Sequence, residues 1–224
     1  MNKTQRLQRW FEEHPRWDNA SYGEFMHVGA NQTIFRVVLQ GEHITSGTKV
    51  LDVACAVGGN ARWLASIYGC RVWGIDIDEA ALQVATDLAE IEEVGQLCNF
   101  MKAGVDKLPF EDGYFDLVMS TDIFDAAEVR RVLKPGGRFV LSSLVEDAGA
   151  SFESLAEKWG FELEFGQDVT GLALTFHRAK EQEAQLLLQS GMIQTRDLVQ
   201  IMNENITPYA RGARHFLMRM RRPD

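Results

Sequence analysis

The hydrophobic positions of this chain change their rhythm near residue 47. Before that point they recur at helical spacing: Leu7, Trp10 and Phe11 share one face over Lys3–Glu12, a pattern that Pro15 ends. Ile34, Val37 and Val38 share another face over Thr33–Leu39, ahead of the polar turn Thr45-Ser46-Gly47. After it come short β-branched apolar runs alternating with amphipathic helices. Lys49–Cys55, Cys70–Asp76, Phe100–Ala103, Phe115–Ser120 and Gly137–Ser143 read as strands, and Asn60–Tyr68, Glu79–Ile91 and Ala126–Leu133 as helices. Ser151–Trp159 continues as a helix and Phe161–Phe165 as a strand. A polar, helix-favouring stretch over 172–205 then precedes a last strand beginning at His215.

Strands alternating with helices imply right-handed βαβ crossovers. The expected fold is therefore α/β: a doubly wound, mainly parallel, seven-stranded Rossmann-like sheet with N-terminal helices and a helical insertion before the last strand. One domain over 1–224 is expected, divided into an N-terminal helical lid (1–46), a cofactor-binding core (47–145) and a C-terminal half (146–224). The insertion is expected to lie over the ligand crevice, with a helical hairpin that merely packs on the sheet as the alternative. That crevice belongs beyond the carboxyl ends of the strands, where strand order reverses.

Composition narrows the function. With 46% hydrophobic and 25% charged residues the chain has an ordinary globular balance. Its formal net charge of −9 argues against nucleic acid, because the field that displaces counterions from phosphates is missing. One basic cluster, Arg211, Arg214, Arg219, Arg221 and Arg222, reads either as a phosphate- or lipid-facing patch or as an edge strand guarded by cations. Cys55, Cys70 and Cys98 lack metal-ligand spacing, so no metal is expected and a reducing cytoplasm fits best. No apolar run approaches the roughly 18 residues needed to span a bilayer, and no integral membrane association is expected. No pattern sets an oligomeric state.

Candidate chemistry begins where the first strand meets the next helix, in Asp52-Val-Ala-Cys-Ala-Val-Gly-Gly-Asn. Its small residues let a ligand approach the backbone, and Gly58 and Gly59 allow a turn just before a helix N-terminus. Asp76 closes the second strand, where a carboxylate accepts the hydroxyl hydrogens of a ribose. Asp78 reads either as a second such group or as an N-cap.

Four segments in order resemble the motif set of class I S-adenosylmethionine-dependent methyltransferases. They are Val50-Leu-Asp-Val-Ala-Cys-Ala-Val-Gly-Gly, Gly74-Ile-Asp, Leu108-Pro-Phe-Glu-Asp-Gly-Tyr-Phe-Asp-Leu-Val and Arg131-Val-Leu-Lys-Pro-Gly-Gly-Arg-Phe. The resemblance covers about Lys49–Ser143 and is strongest to the ubiquinone/menaquinone-biosynthesis-like branch and to sarcosine/dimethylglycine-type N-methyltransferases. It implies S-adenosylmethionine as cofactor, S-adenosylhomocysteine as product and a small-molecule acceptor. It places Asp52 near the methionine end, puts Ala54, Ala56 and Gly58 at three glycine-like positions with Cys55 between them, and gives Asp76 the ribose and Ile77 the adenine. The position that reads the adenine amino group falls on Gly104 and Val105, with Asp106 displaced toward Leu108, so either the backbone or Asp106 serves. Ser120 is expected beside the methyl donor. The span from Thr121 to Arg130 is shorter than is usual in the family. Tyr22-Gly-Glu-Phe-Met-His-Val-Gly resembles a substrate-side lid, which makes Tyr22 and His27 the candidate catalytic pair. Two rivals are a nicotinamide-dependent oxidoreductase, against which the loop lacks GxGxxG, and a nucleoside-binding regulatory protein without turnover, suggested by the two alanines.

Overall fold

The computed structural model describes residues 2–13, 32–147, 149–191, 194–196, 199 and 207–224. The N-terminal helices α1 (Lys3–Glu13) and α2 (Gln32–Val38) are followed by β1 (Lys49–Val53), α3 (Gly59–Tyr68), β2 (Arg71–Asp76), α4 (Glu79–Ile91), β3 (Cys98–Lys102) and β4 (Phe115–Thr121). Then come α5 (Ala126–Val132), β5 (Leu133–Val145), α6 (Phe152–Lys158), β6 (Glu162–Asp168), α7 (Thr170–Gln189), α8 (Thr207–Ala210) and β7 (Arg214–Arg221).

The seven strands lie in the order β3-β2-β1-β4-β5-β7-β6. Every pair from β3 to β5 is parallel, whereas β7 runs antiparallel to both β5 and β6. Strand order reverses between β1 and β4, which opens a crevice at their carboxyl ends. Alternation along the strands makes two cores. Val50, Val72, Met119, Val140 and Leu217 meet Phe35, Val38, Trp63 and Leu64 of α2 and α3 on one face. Leu51, Ile75, Val118, Phe139 and Phe216 meet Val129 and Val132 of α5 and Leu155 of α6 on the other.

Helix α1 is fastened to α4 by charge. Arg6 donates from Nε and Nη2 to both oxygens of the buried Asp87, at 2.8 and 2.6 Å, and Lys3 pairs with Glu90. Leu7 packs on Val57, Ala81 and Val84. These contacts run backward along α4, so α1 is antiparallel to it and heads toward the α4 N-terminus. Arg131 plays a comparable part on the other face. Its guanidinium reaches the carbonyls of Phe110 and Leu108 at 2.7 and 2.9 Å and is balanced by Glu128 and Asp112. The Leu-Pro-Phe and Arg-Val-Leu segments are therefore two halves of one clasp.

Two expectations change. The arginine-rich strand is not at an edge, because β6 pairs outside it. Its cations are neutralised there: Arg219 lies 3.3 Å from both Glu42 and Glu164, and Arg221 2.8 Å from Glu162. Strand β5 also begins four residues earlier than the Gly137 start expected, since Leu133 pairs with Phe115 before the register shift that restores the ladder at Arg138. Pro135 and Gly136 read as a turn in sequence, and the irregular ladder accommodates them.

Candidate cofactor site

The loop from Ala54 to Gly58 takes an unusual path. Ala54, Ala56 and Gly58 all have positive φ, at 56, 47 and 70°, so every second residue is left-handed. Glycine does this freely, whereas alanine incurs about 1 kcal/mol or more each time. The path is held from both sides. The Cys55 N–H donates to the Ile75 carbonyl at 2.9 Å, and the Ala56 N–H donates to Oδ2 of Asp76 at 2.8 Å. Phe100 of β3 supports the loop from below and leaves no room for a side chain. A Cβ on Gly58 would stand 2.4 Å from its ring, and one on Gly74 2.6 Å.

Asp76 and Asp78 divide two tasks that the sequence left open. Asp78 caps α4, its Oδ1 accepting the N–H groups of Ala80 and Ala81 at 2.9 and 3.2 Å. Asp76 accepts one backbone N–H on each oxygen, Ala56 on Oδ2 and Asp78 on Oδ1, the latter at 2.9 Å. Each carboxylate oxygen retains a second lone pair.

Asp76 stands in the wall of a cavity of about 430 Å³, within the ~300–1,000 Å³ range of small-molecule and cofactor sites. Ala54, Ile77, Ala103, Gly104, Val105 and Asp106 line it with Asp76 on the β1–β3 side, and Thr121, Asp122 and Ile123 line it at the carboxyl end of β4. Ile77 and Ile123 are 72% and 59% exposed, which gives this opening two uncovered apolar side chains. Both candidate readers of a base, the Gly104–Val105 backbone and the Asp106 carboxylate, are in the wall. The Asp106 carboxylate folds back over Gly104, where a Cβ would meet its Oδ1 at 2.6 Å.

The other candidates sit elsewhere. Asp52, Cys55 and Ser120 are buried beneath the loop and the strand ends and do not line the cavity. The Ser120 hydroxyl donates to the Ile123 carbonyl at 2.7 Å and so folds the turn that presents Thr121, Asp122 and Ile123. Those three residues and Ala103 escaped the sequence reading. The signal for the three after β4 was their position directly beyond a strand that flanks the reversal. Tyr22 and His27 lie outside the described residues. Helix α7 contacts β7 and buries Ala173, and among the described residues none of α7 lines this cavity.

Residues 51–141 match the family model described as a methyltransferase domain. Over that span the chain is similar to methyltransferase domains, and its fold is that of solved methyltransferases. Over 119 residues it is 33% identical to the chloroplastic tocopherol O-methyltransferase of Arabidopsis thaliana, covering 50% of this chain and 34% of that protein. Over 140 residues it is 29% identical to the sarcosine/dimethylglycine N-methyltransferase of Halorhodospira halochloris, covering 54% and 50%. The chain thus spans between a third and a half of these curated relatives. The solved structure of Haemonchus contortus phosphoethanolamine N-methyltransferase 2 with S-adenosyl-L-methionine superposes with a TM-score of 0.72 at 19% identity, covering 90% of this chain and 54% of that one. That likeness concerns the fold.

Asp52 is held neutral where a carboxyl is ordinarily charged. Burial pushes its carboxyl up to about 8; the Ala61 N–H opposes the rise and the nearby Asp76 charge adds to it. Between pH 4 and 8, roughly, the folded state keeps a proton that the unfolded chain has lost, so stability is greatest below this window, falls through it and levels off above it. Asp52→Asn is expected to flatten that slope, a difference on the order of a few kcal/mol between pH 5 and 8 by urea denaturation. A parallel slope in wild type and variant would remove the assignment. The loop makes a second prediction in two opposite directions. Ala54→Gly should raise stability by up to about 1 kcal/mol by relieving a left-handed alanine. Gly58→Ala should lower it by about 2 kcal/mol or more, because it adds a left-handed alanine and a clash with Phe100. Thermal melting compares the two.

Proposed function

We propose that this chain transfers a methyl group from S-adenosylmethionine to a small-molecule acceptor. The observation that carries the reading is the Asp76 carboxylate, fixed by two backbone N–H groups in the wall of a cavity at the strand-order reversal, with lone pairs left for two ribose hydroxyls. The remaining residues fit the same group. Ile77 offers an uncovered apolar surface to the adenine, Gly104, Val105 and Asp106 offer polar groups to its edge, and the Ala54–Gly58 bend brings backbone close to the amino-acid half. The charged residues of the described cavity wall are all aspartates, and they suit a ligand with a net positive charge.

Bound there, the cofactor supplies an electrophilic methyl group on a sulfonium. The chain's own part is to align the acceptor and to exclude water, from which much of the acceleration of such a displacement derives. Tyr22 and His27 are assigned to the acceptor side by resemblance alone, as proton acceptors for an acidic acceptor. The acidic net charge favours a small molecule over a nucleic acid, and the cysteine pattern favours the cytoplasm. Among the described residues no helix is long and apolar enough to cross a membrane.

Neither rival gains support. The loop does not have the dinucleotide-binding glycine pattern, and the relatives named above are methyltransferases. Ala54 and Ala56 adopt the left-handed angles that glycine would, so the departures that motivated an inactive regulatory protein leave the backbone path intact.

Asp76→Asn keeps the side chain's size but turns one acceptor oxygen into a donor, so it loses one of the two backbone N–H contacts together with acceptor capacity toward the ligand. It should weaken S-adenosylmethionine binding roughly 10- to 100-fold or more, the loss of one or two hydrogen bonds to a charged group, with a lowered melting temperature that reports the lost backbone contact. Equal affinity in calorimetry would remove the ribose assignment. Incubation with methyl-labelled cofactor and a metabolite panel should move label to at least one acceptor. Tight cofactor binding with no transfer across the panel would favour the regulatory protein.

A further inference from the structure

A line of polar side chains crosses the sheet beside the cavity. Thr121, which lines the cavity, is the ladder partner of Ser142 on β5. Ser142 Oγ stands 2.8 Å from Nε2 of His215 on β7, Nδ1 of the same ring stands 2.9 Å from the Tyr209 hydroxyl on α8, and that hydroxyl stands 3.2 Å from Nε2 of His177 on α7. Ser142, His215 and His177 are all buried. Four elements thus meet in one chain of three hydrogen bonds.

One proton arrangement gives every hydrogen of this chain an acceptor. The Ser142 hydroxyl donates to Nε2 of His215, the Nδ1–H of His215 donates to the Tyr209 oxygen, and the phenol O–H donates to Nε2 of His177. Reversing the direction leaves the Ser142 hydrogen with no acceptor in the chain. Both imidazoles are neutral in the satisfied arrangement. A proton added to His215 turns its Nε2 into a donor and orphans the Ser142 hydrogen, and one added to His177 orphans the phenol hydrogen.

We propose that this chain is an acid-sensitive latch, which keeps α7 and α8 on the sheet beside the cavity while both imidazoles are neutral and releases them when either takes a proton. The latch has little apolar help. Among the described side chains of α7 only Ala173 and His177 are buried, and α8 buries none. The start of α7 is fixed separately, by the His215 N–H donating to Thr170 Oγ1 at 2.9 Å and the Val169 N–H donating to the His215 carbonyl at 2.8 Å. Release therefore frees α8 and the later turns of α7. The proposal stands apart from the cofactor reading.

The surroundings favour the neutral rings. Burial holds His177 down at about 4, with His215 adding to the effect, and burial also lowers His215. The Asp122 and Asp168 carboxylates, after β4 and at the end of β6, oppose the change at His215 and are outweighed. Burial, helped by Asp122, keeps the Tyr209 phenol protonated. On β7, Arg214 alternates to the opposite face, over the Phe216 ring, and Arg219 is held by Glu42 and Glu164. Arg36 of α2, Glu146 after β5, Arg178 of α7 and Arg211 after α8 are exposed. Because the closed state binds protons less readily than the open one, the latch is whole above about pH 6.5, weakens on the way down to about 4 and levels off below that.

The test is hydrogen–deuterium exchange of the full chain, read peptide by peptide from pH 7.5 to 4.5 and corrected for the intrinsic exchange rate. Opening of α7 and α8 should rise between about tenfold and a hundredfold per pH unit below 6.5, tenfold for each histidine that takes a proton, while the β1–β4 peptides keep their protection. Opening that does not change with pH overturns the inference, and so does a loss of protection shared equally by the whole sheet. Tyr209→Phe should open both helices roughly tenfold at pH 7.5, because it breaks two of the three contacts. His177→Gln cannot take a proton and should lower the slope by about tenfold per unit. Unchanged protection in the first variant, or an unchanged slope in the second, overturns the latch.

Discussion

One hydrogen bond organises this molecule's functional end: the 2.8 Å contact from the Ala56 N–H to the Asp76 carboxylate. It ties the bend after β1 to the last residue of β2, so the spacing between the loop and the Asp76 carboxylate is set by the fold itself. Because the donor is backbone, the tie requires the loop to hold its alternating left-handed path. That path requires the space above Phe100 that Gly58 and Gly74 leave open. The strain of two left-handed alanines is thus opposed by a polar contact and an aromatic floor.

The sheet, its parallel core and the position of the crevice were legible because they follow from local signals. β-branched runs of strand length, separated by helices with an apolar face, admit few topologies once right-handed crossovers are required. The order of the last three strands was not legible. Sequence gives β6 before β7, and only the pairing of β7 with β5 puts the arginine-rich strand inside the sheet. Its charges then face Glu42, Glu162 and Glu164, which are distant in sequence, so a cluster that reads as a patch is a set of cross-element ion pairs. At the site, Asp76 and Ile77 were visible because they follow a strand directly. Thr121, Asp122 and Ile123 were not, since nothing in their side chains marks them and their placement depends on the turn that Ser120 folds.

The motif set itself splits into two physical kinds. The Asp52–Gly59 bend and the Gly-Ile-Asp segment place groups at the cavity. The Leu-Pro-Phe and Arg-Val-Leu segments are joined by the Arg131 guanidinium, which holds the carbonyls of Leu108 and Phe110 while Glu128 and Asp112 balance its charge. Leu108 follows closely on Gly104–Asp106, so this clasp positions that part of the cavity wall from outside it.

A division between the two walls follows from the same geometry. The relatives named above carry methyltransferase names for different compounds, tocopherol and sarcosine or dimethylglycine, and the similarity covers 50% and 54% of this chain. What those names share is the transfer of a methyl group. In this chain Asp76, Ile77 and the Gly104–Asp106 wall come from the ends of strands β2 and β3 and the loops after them. The wall beyond β4 contributes a single charged side chain, Asp122, held by the Leu144 N–H at 2.6 Å. A core that builds one wall from strand ends, backbone and carboxylates, and leaves the opposite wall to one short turn, can change that turn without disturbing the sheet. That separation is the physical reason why the first wall is legible in this sequence and the opposite one is not.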